Sequence, residues 1–183
     1  NRVPEIRFAG FTDAWERREF GELVSRVSTP SENESILPRV EYDDIISGQG
    51  QLNKDIYDKK SNKTGIRFEP HDVLFGKLRP YLKNWLLSDF EGIAVGDFWI
   101  FRPQDTNHEF IYALIQTPKY QMVSNLSTGT KMPRSDWKIV SKAEFAVPPN
   151  IAEQKQIGEY FKALEHLITL HQRKLERLQN IKK

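Results

Sequence analysis

After Pro148 and Pro149 the chain contains no further proline, and from Ile151 to Lys183 it contains a single glycine, Gly158. Proline cannot donate to a β-ladder, so the apolar run Phe145 to Val147 reads as a short buried strand that stops there. Asn150 followed three residues later by Glu153 has the spacing of a capping box, which starts a helix at Ile151. Its 33 residues, at 1.5 Å rise each, would be about 50 Å long, roughly three times the radius of gyration of a globule made from the residues before it. Ile157, Phe161, Leu164, Ile168, His171, Leu175 and Leu178 recur along it at alternating spacings of four and three, a heptad seam. Leu167 and Ile181 widen the seam, and Glu165, Gln172, Lys174, Glu176 and Arg177 supply polar flanks. Such a helix can cap its own domain or pair with another helix, and its length favours a partner for at least its far half. His171 reads as a packing or register residue, because no second histidine lies at the i+4 spacing of a helical metal site.

The remaining 150 or so residues are enough for one domain with a sizeable core. Hydrophobic residues at 38% and charged residues at 28% fit a globular chain. No apolar run approaches the ~18 residues of a membrane span, and the N-terminus does not resemble a signal peptide. The absence of cysteine excludes disulfides and thiolate metal sites and is compatible with a cytoplasmic location. A net charge of +2 does not by itself announce a nucleic-acid binder; distribution matters more. Lysine and arginine recur through Lys54 to Lys83 and Lys131 to Lys142, while acidic residues are dense in Glu32 to Asp44. A solvated mixed-charge surface is the ordinary explanation of such clusters.

The pattern ahead of Pro148 is mixed α/β. "FGELVSRV" reads as a short helix, and "DVLFGKL", "NWLLSDFEG" and "IAVGDFWIFRP" read as strands rich in aromatic and β-branched residues. "NHEFIYALIQT" and "PKYQMVSNL" read as two helices split at Pro118. Thr29 to Arg67 reads as one long polar excursion with weak strands. There is no internal repeat.

Signatures of catalysis fail. "PPN" at Pro148 to Asn150 lacks the aromatic residue that a base-methylating Pro-Pro turn requires, and no P-loop lysine pattern is present. Glu153 and Lys155 resemble half of a metal-dependent nuclease site, but Glu153 has a simpler place as the capping residue. His71, His108, His166 and His171 are scattered without triad or metal-ligand spacing. No catalytic residue, cofactor or metal is therefore expected.

Recognition remains. In "GKLRPYLKN", Lys77, Arg79, Tyr81 and Lys83 alternate with Leu78, Pro80 and Leu82. If extended, the segment would place three cations and a tyrosine on one face, able to hold a phosphate backbone; the alternative is a strand edge guarded by lysines. In "LSTGTKMPRSDW", Thr128, Thr130 and Ser135 offer hydroxyls, Lys131 and Arg134 offer phosphate or guanine contacts, and Gly129 permits close backbone approach. Met132 and Trp137 would anchor this loop to the core. These are the groups that grip DNA phosphates and read groove edges.

In order along the chain, "VPEIRFAGFTDAWERREFGELV", "DVLFGKLRPYLKN", "GDFWIFRP" and the run "STGTKMPRSDWKIVSKAEFAVPPNIAEQKQIGEYFKALEHLITLHQRKLERLQNIKK" resemble the specificity subunit of type I restriction-modification systems. The resemblance covers nearly the whole chain and is most specific from the Thr-Gly-Thr loop into the long helix. It implies a non-catalytic subunit with a DNA target recognition domain over residues 1–149 and a conserved helix over 150–183. That family has two recognition domains, each reading half of an interrupted site in double-stranded DNA, separated by paired helices that act as a ruler. Methyltransferase subunits dock on the helices, and a motor-nuclease subunit completes the enzyme. One recognition domain and one helix imply a natural half-subunit or a piece of a longer chain, and the heptad seam then predicts a homodimer with a palindromic, interrupted target. The Gly48 to Lys63 region and the Thr128 to Ser135 loop are the expected base readers. A regulatory chain that occupies a methyltransferase through its helix, without delivering it to DNA, is the alternative.

Overall fold

The computed structural model describes residues 4–31, 37–57, 63–126 and 132–181. Its elements run β1 (Glu16–Glu19), α1 (Phe20–Leu23), β2 (Val24–Val27), β3 (Arg39–Val40), β4 (Ile45–Ile46), β5 (Gln51–Leu52), β6 (Ile66–Phe68), β7 (Val73–Gly76), β8 (Trp85–Leu87), β9 (Gly92–Ala94), β10 (Phe98–Pro103), α2 (His108–Gln116), α3 (Pro118–Ser124), α4 (Trp137–Val140), β11 (Glu144–Val147) and α5 (Ile151–Ile181). The class is mixed α/β with a long C-terminal helix.

A four-stranded sheet in the order β2-β10-β7-β8, antiparallel throughout, forms the centre. Its side chains alternate with the strand period of two. Val73, Phe75, Trp85, Trp99 and Phe101 face one core with Phe20, Tyr120 and the apolar side of α2. Leu74, Leu86, Phe98 and Ile100 face a second core, closed by Val40, Ile45, Ile56 and Phe68. The polar excursion after Thr29 does carry weak strands: β3, β9 and β6 make a small sheet, and β4 and β5 make a hairpin. Its few apolar residues suffice because they cover one sheet face that is already apolar.

Several expectations need correction. "FGELVSRV" is helical only at Phe20–Leu23; from Val24 it pairs with β10, since the β-branched Val24 and Val27 fit a pleated surface. "NWLLSDFEG" is a strand only at Trp85–Leu87. "IAVGDFWIFRP" breaks at Gly96, φ +100°, into β9 and β10 in two different sheets. The segment after Gly76 is not extended: β7 stops there, and Pro80–Leu82 form a 3-10 turn.

The helix begins at Ile151 with the Asn150 Oδ1 accepting from the Ala152 N–H at 2.8 Å. The other half of the capping box is replaced. Glu153 is fully buried and accepts from Arg7 through Nε (2.6 Å) and Nη2 (2.7 Å), and from the Trp15 Nε1 at 3.1 Å. A bidentate, charge-assisted pair outcompetes a single bond to backbone, and it ties the N-terminal segment to the start of α5. Ile157 packs against the first core rather than joining the outward seam.

Candidate nucleic-acid interface

Three segments selected by residue type alone converge on the turn at Pro80–Leu82. Leu78 bridges antiparallel to Arg134, the Arg79 N–H donates to the Pro133 carbonyl at 2.7 Å, and the Ser135 N–H donates to the Lys77 carbonyl at 2.9 Å. From the other side, the Gly48 N–H donates to the Lys83 carbonyl at 2.9 Å and the Ser47 hydroxyl to the Leu82 carbonyl at 2.5 Å. The β4–β5 hairpin tip and the loop ahead of α4 thus clamp the turn between them, and α3 packs against it. Thr128, Thr130 and Lys131 lie outside the described residues; the positions flanking them, Leu126 and Met132, are exposed.

The cations on this surface divide into two kinds. Lys77 and Arg134 both reach Asp97, at 3.6 Å and 3.0 Å. Burial opposes the Asp97 charge, but the hydrogen bond and charge of Arg134, with Lys77, outweigh it and hold the carboxyl below its ordinary pKa. Behind them the Tyr42 hydroxyl donates to the Asp97 carbonyl (2.7 Å) and accepts from the Leu78 N–H (2.9 Å). Burial of that phenol, chiefly, raises its pKa. Arg79 and Lys83 are different. Both are exposed, and among the described residues neither side chain has a hydrogen-bond or ion-pair partner. Both also adopt left-handed backbone, with φ of +48° and +55°, a conformation that costs residues other than glycine about 1–2 kcal/mol each. Tyr81 and Leu82, between them, are 54% and 38% exposed. The extended ribbon expected here is replaced by a turn, yet it still presents Arg79, Tyr81 and Lys83 outward.

Ser135 does not belong to this surface. It is buried, and its hydroxyl donates to the Ser124 carbonyl at 2.7 Å, so it fixes the loop to the end of α3. The anchor is Trp137, edge-on to Trp99 and stacked on Phe101; Met132 is 45% exposed. Asp97 and Tyr42 were not selected by sequence, since a single Asp after a glycine carries no signal of partners 20 and 37 residues away.

A second surface runs along α5. Apart from Ile157, which packs on the first core, the face against the domain is polar or small: Gln154 accepts from the Asn107 N–H, Gly158 meets Glu109 and Phe110, and Glu165 accepts from the Tyr112 hydroxyl at 3.0 Å. Burial raises the Glu165 pKa, partly opposed by Tyr112 and Lys162. The seam points away from the domain. Phe161, Ile168, Leu175 and Leu178 are each more than half exposed, Leu164 is 36% exposed, and Leu167 and Leu170 extend the apolar area. His171 is exposed as well, its Nδ1 lying 3.1 Å from the Leu167 carbonyl. Among the described residues no group of His, Asp and Glu is placed to hold a metal ion, and no helix is long and apolar enough to cross a membrane.

The family model for the type I restriction modification DNA specificity domain matches residues 12–180. No curated protein matches the chain. Among solved structures, it is similar to a chain from a study of complex assembly and conformational transition of the type I R-M system, with 19% identity and a TM-score of 0.67. It is also similar to the HsdS subunit from Thermoanaerobacter tengcongensis (21%, 0.64) and to a type I restriction-modification S subunit from M. genitalium (13%, 0.55). Each likeness covers 97% of this chain but only 48%, 48% and 44% of the other, so the chain spans about half the length of the structures it matches.

Proposed function

Because the chain belongs to the type I restriction modification DNA specificity domain family, we propose that it reads one half of a bipartite site in double-stranded DNA and directs methyltransferase and motor-nuclease subunits there, catalysing nothing itself. Arg79 and Lys83 carry this reading. A left-handed turn would fold more easily with glycine, so two exposed cations without a partner among the described residues stand there at a cost to folding. Phosphate oxygens on either side of a groove would give them partners. Arg134 belongs to the clamp that holds this turn, and Lys131, Thr128 and Thr130 are its near neighbours in sequence; these four are the proposed base readers.

In this reading the exposed seam pairs with the seam of a second copy. Such a dimer restores two recognition domains and two helices, and its two-fold symmetry makes the target palindromic and interrupted. The test is to combine the chain with its methyltransferase subunits and a methyl donor and map modified bases over a random DNA library. A two-part palindromic motif supports the proposal. A stable complex that methylates nothing refutes it and favours a regulatory chain that occupies the methyltransferase through its helix.

A further inference from the structure

Helix α5 touches the domain in two physically different ways. At Gly158 the backbones are in direct contact: a Cβ there would lie 2.5 Å from the Glu109 carbonyl carbon and Cβ and from the Phe110 nitrogen. Further along, a cleft of about 150 Å³ opens between the helix and the β4–β5 hairpin, lined by Gln49, Gly50, Leu87, Lys162 and His166. Among the described residues, polar side chains bridge it. Tyr112 reaches Glu165, the Gln51 Nε2 donates to the Thr169 hydroxyl at 3.3 Å, and Arg173 donates to the Gln51 Oε1 at 2.9 Å. The Tyr112 hydroxyl is itself seated against Gly50, where a Cβ would fall 1.7 Å from it.

The chemistry of residue 51 is specific. The Thr169 hydroxyl proton is committed to the Glu165 carbonyl at 3.0 Å, so that oxygen can only accept, whereas Arg173 can only donate. One amide side chain answers both, on successive turns of the helix. A carboxylate could not donate to Thr169, and a lysine could not accept from Arg173. The same hairpin that carries Gln51 holds the Arg79–Lys83 turn through Ser47 and Gly48.

We propose that Gln51, with Tyr112 and Glu165, is a positioning cluster that locks the angle between α5 and the DNA-reading turn, and so sets the gap between the two half-sites. This rests on the function proposed above. Gly158 is the pivot, and Thr169 lies about 16 Å along the helix from it, at 1.5 Å per residue. From the same pivot to Ile181 is about 34 Å, so a tilt of only about 6° moves the helix end by ~3.4 Å, one base-pair step. The contacts near the pivot, at Gln154 and Ile157, resist that tilt with short lever arms; bonds about 16 Å out resist it with more leverage.

Two measurements test this on the full chain. The chain has no cysteine, so spin labels can be placed at Asp89→Cys and Lys174→Cys, both exposed positions, with labelled chain diluted into unlabelled chain. A single narrow distance is expected for the parent, and a distribution at least twice as broad for Gln51→Ala and for Gln51→Leu, which keeps most of the side-chain volume but can neither donate nor accept. Equal widths would overturn the lock. Methylation mapping on a random DNA library, with the methyltransferase subunits, is expected to show one gap length for the parent. Both variants should add gaps one base pair longer or shorter with unchanged half-site bases. An unchanged single gap overturns the proposal even where the distances broaden. A parent chain that directs no methylation refutes the function itself, and the gap role falls with it, while the distance widths still decide whether Gln51 holds the helix.

Discussion

Gly158→Ala sets two effects of known sign against each other. In an isolated helix, alanine is favoured over glycine by about 0.8–1.0 kcal/mol, and residue 158 lies well inside a 31-residue helix. The added methyl, however, would sit 2.5 Å from three atoms of Glu109 and Phe110, two of them backbone. Ordinary carbon contacts are about 3.5–4.0 Å, so α5 and the start of α2 must separate by roughly 1 Å. Overpacking of this kind costs about 1–3 kcal/mol. The net expectation is destabilisation by about 1 kcal/mol, or ~2–4 °C in melting temperature for a chain of this size. A larger loss should follow for Gly158→Val. The control is Ala163→Gly, which is exposed on the same helix and should lose about 1 kcal/mol through propensity alone. Urea and thermal unfolding of the three variants decide the matter. A Gly158→Ala chain more stable than the parent would show that the helix does not press on α2, and the pivot would be lost with it.

Replacing Arg79 and Lys83 separates folding from recognition. Glycine at either position should leave the chain more stable than alanine there by about 1 kcal/mol, while both substitutions weaken DNA binding and reduce the salt slope by about 1 for each phosphate that is no longer neutralised. Equal affinity for all variants would remove the turn from the interface. Arg134→Ala should cost about 1–3 kcal/mol if it reads a base, and comparison with Asp97→Asn, which leaves Arg134 in place without its carboxylate, tests whether the ion pair holds it in position. Phe161→Asp or Ile168→Asp should abolish self-association in sedimentation without lowering domain stability, since both side chains are more than half exposed. His108 has its pKa lowered, by burial first and by the neighbouring His71, whose ring lies 4.1 Å away and tilted at 35°, against the pull of Glu109. The unfolded chain therefore takes up the proton first. Stability should fall as pH drops through 6.5, and His108→Gln should flatten that slope.

Local signals were legible where neighbours in sequence decide the outcome. The Pro-Pro stop, the Asn150 cap, the split of α2 from α3 at Pro118 and the exposed seam all follow from spacing within a few residues. Tertiary partners decided the rest. The alternation in "GKLRPYLKN" satisfies a strand pattern as well as a turn, and only Pro80 favours the turn. Glu153 sits at its capping position but is taken by Arg7, 146 residues away. Gln51 is one polar residue in a polar excursion, and the partners that give it meaning lie 118 and 122 residues further on.

An amphipathic helix normally buries its apolar stripe against its own domain and leaves the polar face to water. In α5, beyond Ile157, which packs on the core, the assignment is reversed. Gln154, Gly158, Glu165, Thr169 and Arg173 face the domain, while Phe161, Leu164, Ile168, Leu175 and Leu178 face outward. Polar contacts are directional, so they fix an angle where an apolar stripe would tolerate sliding. Apolar contacts are better suited to the surface on which the proposed partner helix would bind, because each half-exposed Leu, Ile or Phe can still yield on the order of 1 kcal/mol when covered. Under the proposed pairing, the reversal gives each face the interaction its task would require, orientation on one side and association on the other. It also explains why the helix can be read from sequence as a pairing element while its grip on the domain cannot.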